Sequence, residues 1–207
     1  MIDTALASLC RLVAGSTIEW RCDPYASAQR IYFGNHSSHL DFVVIRSALP
    51  PSRRRHARPV AGRDYWEQGT VRRYLASEVF RAVLVERRSA DAGNSVDHAR
   101  ASVEQMAYEM GYHDSLIVFP EGTRSASGEV GPFKSGLYHL SRARPDAELV
   151  PVYLENLNRI LPKGEALPVP MVSRVTFGPV LPLHAGEQKG AFLERARTAL
   201  LQLEVCA

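Results

Sequence analysis

The chain lacks a G-x-S-x-G elbow, the strained turn that presents a nucleophilic serine at the top of an α/β sheet. No apolar run approaches the ~20 residues needed to span a bilayer, so the chain is not expected to cross a membrane. There are three cysteines, Cys10, Cys22 and Cys206, at unrelated spacings and without a C-x-x-C pair. That argues against a disulfide framework or a thiolate metal site and for a reducing compartment. The opening Met1-Ile2-Asp3-Thr4 has no basic n-region, so a cytoplasmic location is expected. Charge is nearly balanced, with 25 basic against 22 acidic residues leaving +3, too little to imply nucleic acid. The interleaved aromatics of an RNA-stacking platform are missing as well.

What is present suits a single globular unit. At 207 residues and 45% hydrophobic, the chain has material for one core, read as one domain over 1–207 without repeats or linkers. Apolar and β-branched runs bounded by Gly, Pro or Asp predict strands at 17–22, 30–34, 57–62, 82–86, 115–119, 148–154 and 171–178. Helical periodicity predicts helices at 40–49, 64–77, 94–110, 135–143 and 187–204, the third with Val96, Ala99, Val103, Met106 and Met110 as its apolar stripe. This alternation implies an α/β fold, a mixed but largely parallel sheet flanked by helices. The Pro-rich stretch 161–170 reads as a surface loop. Ile2, Ala5, Leu6, Leu9 and Val13 recur at helical intervals, so residues 1–15 are a candidate amphipathic interfacial helix, with core packing the alternative.

Charge becomes distinctive only in its distribution. From Arg46 to Arg63 there are six arginines and no acid, centred on Arg53-Arg54-Arg55-His56-Ala57-Arg58. Two readings stand side by side, a solvated loop or a contact with anionic lipid headgroups or an acidic donor.

The most informative segment is Asn35-His36-Ser37-Ser38-His39-Leu40-Asp41, which follows the strand-like Ile31-Tyr32-Phe33 and supplies a base and a carboxylate five positions apart. A neutral imidazole can take a proton from a hydroxyl near pH 7, and a carboxylate on its far nitrogen fixes the tautomer. Positions i and i+5 lie roughly 140° apart on a helical wheel, so both cannot sit in one regular helix. His36 is therefore expected in the turn after the strand, Ser37 or Ser38 near an N-cap, and Asp41 in the first turn of the helix. A metal set of His36, His39 and Asp41 lacks a supporting distant ligand, so no metal is expected. Asp41 as a first-turn charge favoured by the helix dipole is the bland alternative. His56, His98, His113, His139 and His184 are read as structural or solvated.

A second block, Leu116-Ile117-Val118-Phe119-Pro120-Glu121-Gly122-Thr123-Arg124-Ser125, is an apolar strand whose exit carries Glu, Thr and Arg. Strand exits of open α/β sheets collect ligands, and arginine offers a planar fork matched to phosphate oxygens. A surface turn with an E-x-x-R salt bridge is the commoner fate of such residues, but Phe133-Lys134-x-Gly136 downstream argues for a shaped loop.

Together the two blocks resemble the first and third signature motifs of the glycerolipid acyltransferase family, the lysophosphatidate acyltransferase-like proteins, N-H-x-x-x-x-D and F-P-E-G-T-R-S. Arg81-Ala82-Val83-Leu84-Val85-Glu86-Arg87 is similar to the second motif, G-x-I-F-I-x-R, with Arg81 in place of the usual Gly. Leu149-Val150-Pro151-Val152-Tyr153-Leu154 is similar to the fourth. Order and spacing agree over residues 31–154.

The resemblance implies a membrane-associated O-acyltransferase of phospholipid synthesis, with His36 as general base oriented by Asp41. Arg87 and Arg124 would grip the acceptor phosphate, with Glu121, Gly122 and Thr123 in the same substrate-binding pocket. An acyl group would pass from acyl-CoA or an acyl carrier protein to the hydroxyl of a phosphorylated glycerol-type lysophospholipid, above all 1-acylglycerol-3-phosphate. No acyl-enzyme and no cofactor would be needed. The protein would sit peripherally at an anionic membrane surface, the inner face of the cytoplasmic membrane. Acylation of another lysolipid, an ornithine lipid or a glycolipid precursor is the second reading, and a noncatalytic lipid-binding protein the third. Tyr65, Trp66, Tyr74, Leu75, Val79 and Phe80 are candidates to line an acyl channel or simply to fill the core.

Overall fold

Seven apolar segments pair into one sheet in the computed structural model, which describes residues 16–38, 40–86, 95–125, 127–157 and 173–204, with backbone alone for 95–98. The strands are β1 (Thr17–Trp20), β2 (Arg30–Gly34), β3 (Ala57–Gly62), β4 (Val83–Val85), β5 (Ser115–Val118), β6 (Glu148–Glu155) and β7 (Arg174–Phe177). Their order is β1-β7-β6-β2-β5-β3-β4. Every neighbouring pair is parallel except β6 with β7. All seven expected strands are present, and the fold is the expected helix-flanked, largely parallel α/β sheet.

Burial on both faces explains why the central strands read as unbroken apolar runs. Ile31, Phe33, Leu116, Val118, Leu149 and Tyr153 face one core, and the intervening Tyr32, Ile117, Val150, Val152 and Leu154 face the other. The first core packs against α5 (Ser95–Met110), α6 (Gly136–Ala143) and α7 (Lys189–Leu201) through Met106, Met110, Leu137, Leu140, Phe192, Ala196 and Leu200. The second packs against α1 (Asp41–Ala48) through Val44, Ile45 and Ala48.

Pro151 lies inside central β6, where a missing N–H would normally break a ladder. Its carbonyl accepts from the Gly178 N–H at 2.8 Å, so the residue's backbone polar edge faces β7. The β6–β7 ladder runs over Val152–Glu155, so the absent N–H falls at its margin, where the Pro151 carbonyl alone pairs with Gly178.

Several expectations are corrected. The 64–77 helix is broken into α3 (Arg63–Trp66), α4 (Thr70–Tyr74) and a π-helical turn, Leu75–Val79. Gly69 interrupts it with φ +85°. An unexpected short helix, α2 (Pro51–Arg54), begins with Pro51 in the first-turn position that tolerates proline. Ala99, assigned to the apolar stripe of α5, is exposed, whereas Val103, Met106 and Met110 are buried.

The basic stretch is no loop of solvated charge. Arg46 and Arg54 are buried, donating to the carbonyls of Ala57 (3.2 Å), Ser47 (3.2 Å) and Leu49 (3.0 Å). Arg58 is tied to Glu109 at 2.8 Å, and Arg53 donates to the Ala28 carbonyl. Arg81 takes the left-handed conformation, φ +50°, that the usual glycine would favour, and reaches Asp114 at 2.8 Å. Residues 1–15, 87–94 and 158–172, with the interfacial helix, Arg87 and the Pro-rich loop among them, lie outside the described residues, as does His39. No helix among the described residues is long and apolar enough to cross a membrane.

Candidate active site

The site forms where β2, β5 and β6 end. Gly34, the last residue of β2, has no room for a side chain: a Cβ there would meet the Val152 carbonyl oxygen at 3.0 Å and Ile45 Cδ1 at 3.3 Å. The bare glycine lets α1 close directly over the strand exit. Asn35 then bridges to β6, its Nδ2 donating to the Leu154 carbonyl and its Oδ1 accepting from the Leu154 N–H, both at 2.8 Å. A side-chain amide thus continues the β2–β6 pairing and fixes the backbone just before His36.

His36 occupies the turn, as expected, and Asp41 the first turn of α1. His36 Nδ1 lies 2.8 Å from Asp41 Oδ2. The same oxygen accepts from the N–H groups of Ser37 (2.7 Å) and Ser38 (2.9 Å), so the fully buried carboxylate has three donors on one atom. Its place at a helix N-terminus favours the anion further. A carboxylate on Nδ1 requires the proton there and leaves Nε2 unprotonated, able to accept. The imidazole stacks on Phe119 at 4.3 Å between centroids, with its planes 17° apart. Leu40 rather than a serine is the N-cap, and Ser38, two residues before it, accepts from the Leu40 N–H through Oγ at 3.2 Å.

The turn after β5 wraps the same histidine. Ser125 N–H donates to the His36 carbonyl at 2.7 Å, and His36 N–H donates to Glu121 Oε1 at 2.8 Å. Glu121 Oε2 accepts from the Gly131 N–H at 2.9 Å. Both oxygens of this buried carboxylate therefore serve backbone donors, and Glu121 shapes the site by tying the His36 turn to two points of the β5–α6 connection. Burial pushes its pKa up, and the Gly131 and His36 N–H groups oppose the shift. Gly122 (φ +71°) and Thr123 are exposed on the turn, and Arg124 is half-buried. Arg124 Nη1 is buried and has no hydrogen-bond partner among the described residues.

Around this polar centre lie half-buried apolar side chains, Leu40, Phe42, Val43 and Phe119. Phe42 meets Trp66 edge-on at 5.7 Å and Phe80 at 4.9 Å. Val79 and Phe80 are core, whereas Tyr74 is 50% exposed.

A second His–Asp pair, His56 Nδ1 to Asp114 Oδ1 at 3.2 Å, sits at the opposite pole, where β3 and β5 begin. Arg81 and Arg58 share that carboxylate. It is a structural cluster, as expected of His56. Among the described residues, no group of three His, Cys, Asp or Glu side chains is arranged to hold a metal ion.

Asn35 and Phe119 belong to the motifs quoted above, yet nothing in the sequence ties one to Leu154 or stacks the other on His36.

The acyltransferase family model matches residues 23–155, a span that includes His36, Asp41 and the Phe119–Ser125 turn. The chain belongs to the acyltransferase family. Similar proteins include the sheep (Ovis aries) 1-acyl-sn-glycerol-3-phosphate acyltransferase alpha, 27% identical over 136 residues, which are 65% of this chain and 43% of that protein. The 1-acyl-sn-glycerol-3-phosphate acyltransferase of Limnanthes alba is 27% identical over 160 residues, 76% of this chain and 52% of its own length. The chain thus spans about half the length of these curated relatives. The acyltransferase fold is also that of the crystal structure of the 1-acyl-sn-glycerophosphate acyltransferase PlsC from Thermotoga maritima. The TM-score is 0.69 at 17% identity, over 98% of this chain and 78% of that one.

Proposed function

We propose that the protein transfers a fatty acyl group from an acyl thioester, acyl-CoA or acyl carrier protein, to the free hydroxyl of 1-acylglycerol-3-phosphate. The observation that carries this reading is His36 held at 2.8 Å by a buried Asp41, with no nucleophile elbow in the chain. The nucleophile is then the acceptor's own oxygen.

His36 Nε2 takes the hydroxyl proton as that oxygen attacks the thioester carbonyl. The resulting imidazolium is stabilised by Asp41. Collapse of the tetrahedral adduct breaks the C–S bond, and the imidazolium returns its proton to the leaving thiolate. Arg124, with an unpartnered buried nitrogen in the turn bonded to His36, holds the acceptor phosphate, joined by Arg87. Leu40, Phe42, Val43 and Phe119 offer the acyl chain an apolar path beside the imidazole. Because the acceptor is a lipid, the protein works peripherally at the inner face of the cytoplasmic membrane.

The test is thiol release from palmitoyl-CoA or palmitoyl carrier protein, with lysophosphatidate, another lysophospholipid or no acceptor. Release is expected to require lysophosphatidate and to fall by about 10²- to 10⁴-fold in His36→Ala, with little change in acceptor KM. An unaltered rate in His36→Ala would refute the mechanism, and release with only the other acceptor would refute the substrate.

A further inference from the structure

Lys134 makes no ion pair or side-chain hydrogen bond with the described residues, yet its position is defined. Its backbone N–H donates to the Pro120 carbonyl at 2.8 Å, which seats it beside the Phe119–Ser125 turn. From there the side chain lies across Gly122, where an added Cβ would stand 2.7 Å from Lys134 Nζ and 3.0 Å from Cδ. Gly122 thus meets two demands at once, a left-handed backbone and a bare face on which the ammonium rests. Two residues on, Arg124 carries its unpartnered Nη1. Glu121, the acid within this turn, forms no ion pair with either cation; its two oxygens accept from the His36 and Gly131 N–H groups.

Lys134 beside the turn and Arg124 within it, neither in an ion pair with the described residues, thus border a turn that is itself hydrogen-bonded to His36, an arrangement suited to an anion. We propose that Lys134 is a specificity-determining residue, a further cation beside Arg124 in a subsite that selects a phosphomonoester on the acceptor. A phosphomonoester carries about −1.5 to −2 at pH 7, whereas a diester carries a single charge, so an added cation favours the monoester. Arginine supplies the planar fork and lysine a compact point charge. The acceptor's identity rests on the acyl-transfer reading above, but anion binding at Lys134 does not.

The experiment compares wild type, Lys134→Met and Lys134→Arg in two ways. The first is the ratio of kcat/KM for lysophosphatidate over unphosphorylated monoacylglycerol. The second is calorimetric binding of glycerol 3-phosphate. Methionine keeps an unbranched stem across Gly122, and the site is exposed, so both variants are expected to fold. In Lys134→Met the ratio is expected to fall about 10- to 100-fold, the scale of a hydrogen bond to a charged group, mainly through KM. Lys134→Arg should restore most of it. An unchanged ratio in Lys134→Met would overturn the proposal and leave the acyl-transfer reading intact. If wild type turns over neither acceptor, that reading fails and calorimetry alone decides. Weaker binding in Lys134→Met then sustains the subsite, while equal affinity, or no binding by wild type, overturns it.

Discussion

Replacing Asp41 with asparagine removes one charge and almost no volume from the most heavily hydrogen-bonded oxygen of the site. Oδ2 accepts from His36 Nδ1, Ser37 N and Ser38 N at 2.7–2.9 Å. A hydrogen bond to a charged group contributes ~1.5–3 kcal/mol and a neutral one ~0.5–1.5, so the three together lose about 3 kcal/mol. The α1 dipole adds a loss of about 0.3–1 kcal/mol. Burying an amide in place of a carboxylate returns part of this, leaving a net loss of about 1–3 kcal/mol. For a chain of this size that is roughly 2–12 °C in Tm. Turnover should suffer more. If the amide NH2 faces the ring, Nδ1 must accept and the proton moves to Nε2, where the base is needed. If the amide oxygen faces it, the imidazolium loses its counter-charge. Either way kcat should fall by about 10²- to 10⁴-fold while acceptor KM holds. Thioester cleavage followed with a thiol reagent, beside thermal melts, measures both. A Tm loss with kcat within about threefold of wild type would refute the orienting role and leave Asp41 a capping residue.

Gly34→Ala should lower both stability and turnover, since its Cβ would press on the Val152 carbonyl and Ile45 two residues before His36. A loss of about 1–3 kcal/mol in urea unfolding is expected, as for an overpacked core. Glu121→Gln should reduce turnover at least tenfold, since an amide oxygen can accept from only one of the His36 and Gly131 N–H groups unless it is shared. Its pH dependence has a definite sign. The folded-state pKa of Glu121 is raised above its ordinary 4.5, so between those values the folded chain binds more protons than the unfolded one. Wild-type stability therefore falls as pH rises through that window, and melts should show the Glu121→Gln Tm gaining on wild type from 4.5 upward.

The His36–Asp41 pairing was legible because it is local. His36 and Asp41 lie five residues apart, and the wheel argument correctly separates them into turn and helix. The strands were legible because burial on both faces leaves apolar runs such as Leu149–Leu154 that tolerate little else. What the sequence hid was the destination of polar side chains. Arg46 and Arg54 look like surface charge, yet their acceptors are backbone carbonyls around α1 and β3, which become available only through tertiary packing. Glu121 was read toward substrate because nothing local reveals that its partners are the N–H groups of His36 and Gly131. The break at Gly69 was missed because a lone glycine is often tolerated in a helix and does not announce a positive φ.

The amide bridge between Asn35 and Leu154 also sets a timetable. A ribosome adding ~5–20 residues per second needs roughly 6–24 s to proceed from one to the other, and only then can β2 gain β6 as its neighbour. Through that interval the nascent chain already holds its base and carboxylate, but the strand that aims them has both flanks open until β5 is made and one open until β6 follows. The chain therefore acquires its reactive pair early and its alignment late, and a fragment ending before β6 would carry every atom of the dyad without the frame that orients it.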